Sequence, residues 1–158
     1  MIRATVPDDT PILKEFTAAT GFFRPHEVGT LQEVLDDYHH QAHAKEGHLC
    51  YTLENKGDGQ LQGFVYFAPE AMTVNTWALW WIVVRPGVQA KGLGGRMLKF
   101  AEDEIRRRGG RLLFIETSSQ PLYDPTRRFY IKYHYEEHAV LKDYYAPGDS
   151  LVIFRKEL

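Results

Sequence analysis

Apolar positions change their period twice in the middle of this chain. Residues 77–84, Trp-Ala-Leu-Trp-Trp-Ile-Val-Val, form an unbroken apolar run rich in β-branched and aromatic side chains, the pattern of a strand covered on both faces. Pro86 ends it. From Leu93 the spacing becomes helical: Leu93, Met97, Leu98, Ala101 and Ile105 recur with Lys99, Glu102, Asp103, Arg106 and Arg107 between them. This predicts an amphipathic helix closed by Gly109-Gly110.

The same reading extends outward from this centre. A short strand is predicted over residues 2–6, then a helix announced by Pro7-Asp8-Asp9-Thr10-Pro11 with Leu13, Phe16 and Thr17 facing inward. Residues 20–27 break that helix, and a second is predicted over 28–45, carrying Leu31, Val34, Leu35 and Tyr38. Strands at 48–54 and 61–69 flank the turn-rich 55–60, an antiparallel hairpin. A loop at 70–76 leads to the central strand. The strand after the amphipathic helix, 111–117, is expected parallel to the central one through a right-handed crossover. A polar connection at 118–125 precedes a short helix at 126–133, and strands at 138–145 and 151–156 close a hairpin around Ala146-Pro147-Gly148-Asp149.

Composition bounds the rest. The 158 residues, 44% hydrophobic and 13% aromatic, suffice for one domain over residues 1–158 with a sizeable core. A net charge of −2, with Arg106-Arg107-Arg108 at a helix end as the densest basic stretch, argues against nucleic acid as a partner. The single cysteine, Cys50, excludes an intramolecular disulfide framework, and no signal-peptide pattern or membrane-spanning run is present. The expectation is a cytoplasmic protein with no membrane partner. His39 and His43 share a helical face, but no carboxylate completes a zinc motif; a solvated face is the favoured reading and no metal is expected. Cys50 lacks a recognisable base and is read as core.

Between strand and helix stands Gln89-Ala90-Lys91-Gly92-Leu93-Gly94-Gly95-Arg96. Glycines at a helix N-terminus leave backbone N–H groups unpaired and let an anionic group approach, a phosphate cradle in physical terms. An ordinary glycine-rich turn is the alternative. The spacing is neither a Walker loop nor a dinucleotide fingerprint. It resembles the Gln/Arg-x-x-Gly-x-Gly/Ala signature of the GNAT superfamily of N-acetyltransferases, and Ile82-Val83-Val84-Arg85-Pro86 before it is also similar to that family.

The resemblance implies an α/β fold with a mixed, mostly antiparallel sheet, its central parallel pair splayed to admit a pantetheine arm, flanked by helices. It implies acetyl-CoA as co-substrate, its pyrophosphate held by the amides of Gln89, Ala90, Lys91, Gly92, Leu93, Gly94, Gly95 and Arg96, and its pantetheine arm by the backbone of Ile82, Val83 and Val84. It further implies a primary-amine acceptor, direct transfer in a ternary complex, and a monomer or homodimer.

Transfer needs a deprotonated amine and a proton for the departing thiolate. Alkylamines, with pKa about 10.4, are mostly protonated at neutral pH, so a base is useful. Glu116 interrupts an apolar strand near its C-terminal end and matches the position of a family base; a strand-end carboxylate satisfied by neighbours is the alternative. Tyr130 in Thr126-Arg127-Arg128-Phe129-Tyr130 resembles the family tyrosine that protonates or binds the thiol; plain packing is its alternative. By family analogy the acceptor lies between Phe22, Phe23, His26 and Glu27 of the early loop and Asp143, Tyr144 and Tyr145 of the closing hairpin, with Phe23, Glu27 and Tyr144 taken as substrate-binding. The family's usual asparagine before the short helix is replaced by Tyr123-Asp124-Pro125-Thr126, and its Gly-Phe after it by His134-Tyr135, where a positive φ would be unusual but tolerable for histidine. The rival reading is a non-catalytic acyl-CoA-binding module, which needs neither Glu116 nor Tyr130.

Overall fold

The computed structural model describes residues 1–40, 42–88 and 91–158. Seven strands form one sheet in the order β1-β2-β3-β4-β5-β7-β6, with β1 Ile2–Ala4, β2 Leu49–Glu54, β3 Leu61–Pro69, β4 Thr76–Val84, β5 Leu112–Ser118, β6 Glu136–Ala146 and β7 Asp149–Glu157. All neighbours are antiparallel except β4 and β5. The mixed sheet and its central parallel pair are as expected.

Helices cover the sheet in two groups. On one face α4, Leu93–Arg107, lays Met97, Leu98, Ala101 and Ile105 against Leu53, Val65, Phe67, Leu79 and Leu113, and Tyr130 of α5, Asp124–Lys132, packs with Phe154 beside them. On the other face α1, Thr10–Ala19, and α2, Pro25–His39, bring Leu13, Phe16, Leu31 and Leu35 onto Cys50, Phe64, Tyr66 and Val83. A four-residue helix, α3 at Ala42–Lys45, follows α2.

Several boundaries differ from the sequence expectation, each for a local reason. The first strand ends at Ala4 because the Val6 N–H donates to Asp9 Oδ2 (3.0 Å) instead of to a neighbouring strand. The second helix begins at Pro25, with proline in the first turn where its missing N–H costs nothing, and not at residue 28. It is also two helices: His40 leaves helical geometry at φ −79°, ψ 9°, with its Nδ1 2.6 Å from Asp36 O. Proline likewise starts α5 two residues earlier than expected, at Asp124.

The central strand is not covered on both faces throughout. Tyr66 pairs with Trp81 and Phe67 with Leu79, so Trp80 is the extra residue of a β-bulge. Before the bulge Trp77 and Leu79 face α4; after it Ile82 and Val84 do. Trp80 and Trp81 therefore point to the same side, toward α1 and α2, and Trp80 is 43% exposed. The β4–β5 ladder joins Thr76–Leu79 to Leu112–Ile115 and ends there, so the strands part beyond it.

Candidate active site

The parting of β4 and β5 opens a cleft of about 1380 Å³ that runs from the N-terminus of α4, past α5, to the loop between α1 and α2 and the β6–β7 turn. It brings together both proposed catalytic residues and most of the residues assigned to acyl-CoA and acceptor.

At the α4 end, Gly92 is the N-cap at φ 70°, ψ 14°, a left-handed conformation that favours glycine, and no side chain caps the helix. The helical ladder starts with Arg96 N donating to Gly92 O (3.2 Å), so the N–H groups of Leu93, Gly94 and Gly95 have no intrahelical acceptor. The glycines differ in what surrounds them. A Cβ on Gly92 would meet open space, one on Gly94 would touch Phe129 at 3.4 Å, and one on Gly95 would lie 1.9 Å from the Tyr133 hydroxyl. Leu93 turns its side chain into the core, leaving only its backbone to the cleft.

Lys91 and Arg96 flank this helix start and have no ion-pair partner among the described residues, whereas Lys99, Arg106 and Lys156 nearby are matched by Asp103 and Glu102. Three amides with no acceptor among the described residues, a helix dipole and two cations unmatched among them fit the pyrophosphate of an acyl-CoA. Gln89 and Ala90 lie outside the described residues. Ile82, Val83 and Val84 line the cleft where β5 no longer pairs with β4.

Tyr130 is 4% exposed, ringed by Phe129, Tyr135 and Phe154 at 5.4–5.9 Å, and still reaches the cleft wall. Burial raises its phenol well above the usual tyrosine value, so it is a neutral O–H donor at neutral pH. Glu116 projects from β5 on the face opposite Leu113 and Ile115, exposed to the cleft on the side that Trp80 and Trp81 face. The nearby Tyr145 phenol is pushed up to about 12 by burial first, then by the charge of Glu116.

At the acceptor end Phe23 packs on Trp81 (5.2 Å) and Phe22 on Tyr123 (6.1 Å), whose hydroxyl donates to Phe22 O (2.5 Å). Phe23, His26 and Glu27 line the cleft, as does Tyr145. Tyr144 is 59% exposed and stands outside the lining, edge-on to Tyr145. Strand alternation would have separated these two tyrosines had the register of β6 been known. Sequence reasoning also passed over Trp80, whose place in the cleft follows from the bulge.

The replaced asparagine has a different role here: Asp124 pairs with Arg128 (2.9 Å). His134 takes φ 69°, the left-handed value that the family's glycine would hold without strain. Cys50 is buried with its thiol pushed up to about 12 by desolvation, a packing residue. The solvated-face reading of the helix histidines gives way at His43, which stacks on His48 at 4.4 Å. Among the described residues no group of three or more His, Cys, Asp or Glu side chains could hold a metal ion, and no helix is long and apolar enough to cross a membrane.

The sequence matches the acetyltransferase (GNAT) family over residues 13–135. The fold superimposes on a protein assigned to that family from Desulfovibrio desulfuricans with a TM-score of 0.92 and 35% identity, covering 99% of this chain and 98% of the other. An aminoglycoside 6'-N-acetyltransferase solved with coenzyme A shares the fold at TM-score 0.76 and 17% identity (99% and 96% covered). The ribosomal-protein-alanine N-acetyltransferase of Brucella melitensis does so at 0.80 and 17% (100% and 99%). A comparison with curated protein sequences gives no match. The chain belongs to the GNAT family of acetyltransferases, which supports acetyl transfer as its general activity.

Proposed function

We propose that this protein is an N-acetyltransferase that moves an acetyl group from acetyl-CoA to a primary amine by direct attack within a ternary complex. The observation that carries the reading is one cleft holding a glycine-entered helix start at one end, a buried phenol and an exposed carboxylate at its middle, and an aromatic wall at the other. The amides of Leu93, Gly94 and Gly95, with Lys91 and Arg96, hold the pyrophosphate. The backbone of Ile82, Val83 and Val84 aligns the pantetheine arm, and Phe23 and Glu27 contribute to the acceptor end.

Glu116 takes a proton from the incoming ammonium, directly or through water, so that the neutral amine attacks the thioester carbon. The carbon–sulfur bond then breaks with its electron pair going to sulfur, and the proton left on the attacking nitrogen passes to that sulfur, directly or through water, so that amide and free thiol are released. Tyr130 assists that departure. A thiol of pKa about 8.5 is a poor match for a phenol whose pKa burial has raised, so Tyr130 acts chiefly by hydrogen bonding to sulfur and not by surrendering its proton. Most of the acceleration comes from positioning.

Calorimetric titration with acetyl-CoA, followed by thiol release against a panel of primary amines, tests the reading. Binding in the micromolar range with amine-dependent release is expected. Tyr130→Phe and Glu116→Gln should each lower kcat by about 10- to 100-fold while leaving acetyl-CoA affinity within threefold. Binding without release for any amine would favour an acyl-CoA-binding module, and no binding would sink the proposal.

A further inference from the structure

The acceptor end of the cleft contains a group of side chains that the transfer chemistry does not use. Trp81, set by the bulge toward the α1–α2 side, is packed against Phe23. Trp80, set to the same side, is not packed in this way. It stacks on Tyr66 (5.4 Å, 30° between planes), stands in edge-type contact with His48 (4.9 Å) and His43 (6.0 Å), is 43% exposed, and lines the cleft that Glu116 and Tyr145 also line. An indole left 43% exposed in a cleft gains apolar burial from any flat group that lies against it.

The support behind Trp80 is rigid. Tyr66 is fully buried, and its hydroxyl lies 2.7 Å from His48 Nδ1 and 3.3 Å from His43 Nδ1. The two imidazoles stack 4.4 Å apart at 13°. A phenol has one proton, so it can donate to one imidazole while accepting from the other, which fixes the three rings in one arrangement. Buried polar groups of this kind are costly unless satisfied, and here they hold an exposed tryptophan in place.

We propose that Trp80 selects the acceptor by stacking on a flat apolar group, that His48, Tyr66 and His43 position it, and that the acceptor class is therefore an arylalkylamine whose ammonium end faces Glu116. This rests on the amine-acetyltransferase reading and narrows it. A polyhydroxylated aminosugar can lay only its C–H face on an indole and keeps its hydroxyls hydrated, so it buries less apolar area against Trp80 than an aryl ring and should be the poorer substrate.

The test compares the wild-type protein with Trp80→Phe, Trp80→Leu and Tyr66→Phe, using 2-phenylethylamine and glucosamine as probes, thiol release as the readout and calorimetry for acetyl-CoA affinity. Wild type should use 2-phenylethylamine at least about tenfold better than glucosamine in kcat/KM. Trp80→Leu should raise the KM for 2-phenylethylamine about tenfold, with kcat within threefold and acetyl-CoA affinity unchanged; Trp80→Phe should recover to within about threefold. Tyr66→Phe, which keeps the ring and loses both hydrogen bonds, should raise that KM about threefold at unchanged kcat. Equal use of the two amines, or a KM within twofold of wild type in Trp80→Leu, overturns the proposal. So does a wild-type protein that binds acetyl-CoA and acetylates other amines but not 2-phenylethylamine, an outcome that leaves the transferase reading standing. Failure to bind acetyl-CoA at all defeats that reading, and this proposal with it.

Discussion

Three glycines that look alike in the sequence stand in three different physical settings. Gly92 needs its left-handed φ of 70°, Gly94 sits at ordinary contact distance from Phe129, and Gly95 has the Tyr133 ring where a Cβ would be. Alanine substitutions should therefore separate them by thermal denaturation. Gly92→Ala is expected to cost about 1–2 kcal/mol for the left-handed conformation. Gly94→Ala should change stability by less than about 1 kcal/mol, because Phe129 has only to yield slightly. Gly95→Ala must displace Tyr133, which is itself packed on Phe129 at 4.9 Å, and should cost about 1–3 kcal/mol and weaken acetyl-CoA binding along with it. If all three variants melted together, crowding at Gly95 would not be the reason for glycine there. The sequence showed glycines clustered at this helix start; it could not show that a tyrosine 38 residues downstream excludes a methyl group from only one of them, since nothing local encodes that contact.

At the scale of elements, the strand–turn–helix from β4 to α4 was legible because its hydrophobic period changes sharply from continuous to helical, and hairpins β2–β3 and β6–β7 because turn residues punctuate them. The bulge at Trp80 was not legible. In a strand where every position from Trp77 to Val84 is apolar, the phase of inward and outward residues leaves no trace, so a one-residue slip of facing is invisible until the pairing partner is known. Nor could the sequence say that α2 and α3, after parting near His40, return His43 to the sheet beside His48. That junction makes a pH prediction. Burial, reinforced by the neighbouring His43 and partly opposed by Glu46, lowers the pKa of His48 below its ordinary value. The folded state then binds fewer protons than the unfolded chain once the pH drops below about 6.5, so folding should lose stability as pH falls from there toward the depressed folded value and level off beneath it. Melting temperatures measured from pH 8 to pH 5 should show this decline in wild type and a shallower one in His48→Gln. Parallel profiles would remove His48 from the account.

The whole molecule is tied across its layers by one buried carboxylate. Glu102 of α4 is 5% exposed; its Oε1 accepts from the Tyr135 hydroxyl (2.9 Å) and from Lys156 Nζ (2.8 Å), and Arg106 stands 3.5 Å from its other oxygen. Lys156 also donates to Tyr133 O (3.0 Å), so the end of β7, the turn after α5 and the middle of α4 meet at a single point, directly behind the basic recess beside the glycine loop. Burial, then the charge of Glu102, holds the Tyr135 phenol far above its ordinary pKa, so it is a donor at neutral pH. Glu102→Gln leaves the Lys156 ammonium, itself largely covered, without its counter-charge while Tyr133 O still accepts one of its protons. The expected cost is about 1–3 kcal/mol, a fall in Tm of about 2–12 °C for a domain of this size. Lys156→Met alone should cost a similar amount because it takes from the buried carboxylate its nearest counter-charge and leaves it only Tyr135 and the more distant Arg106, but the double variant should cost less than the two singles summed, by about 1 kcal/mol or more, since neither member of the pair then faces an absent partner. A double-mutant cycle by calorimetric melting decides the matter. Additive losses would mean that α4 and β7 are joined through their apolar contacts alone, with Glu102 merely accommodated among them.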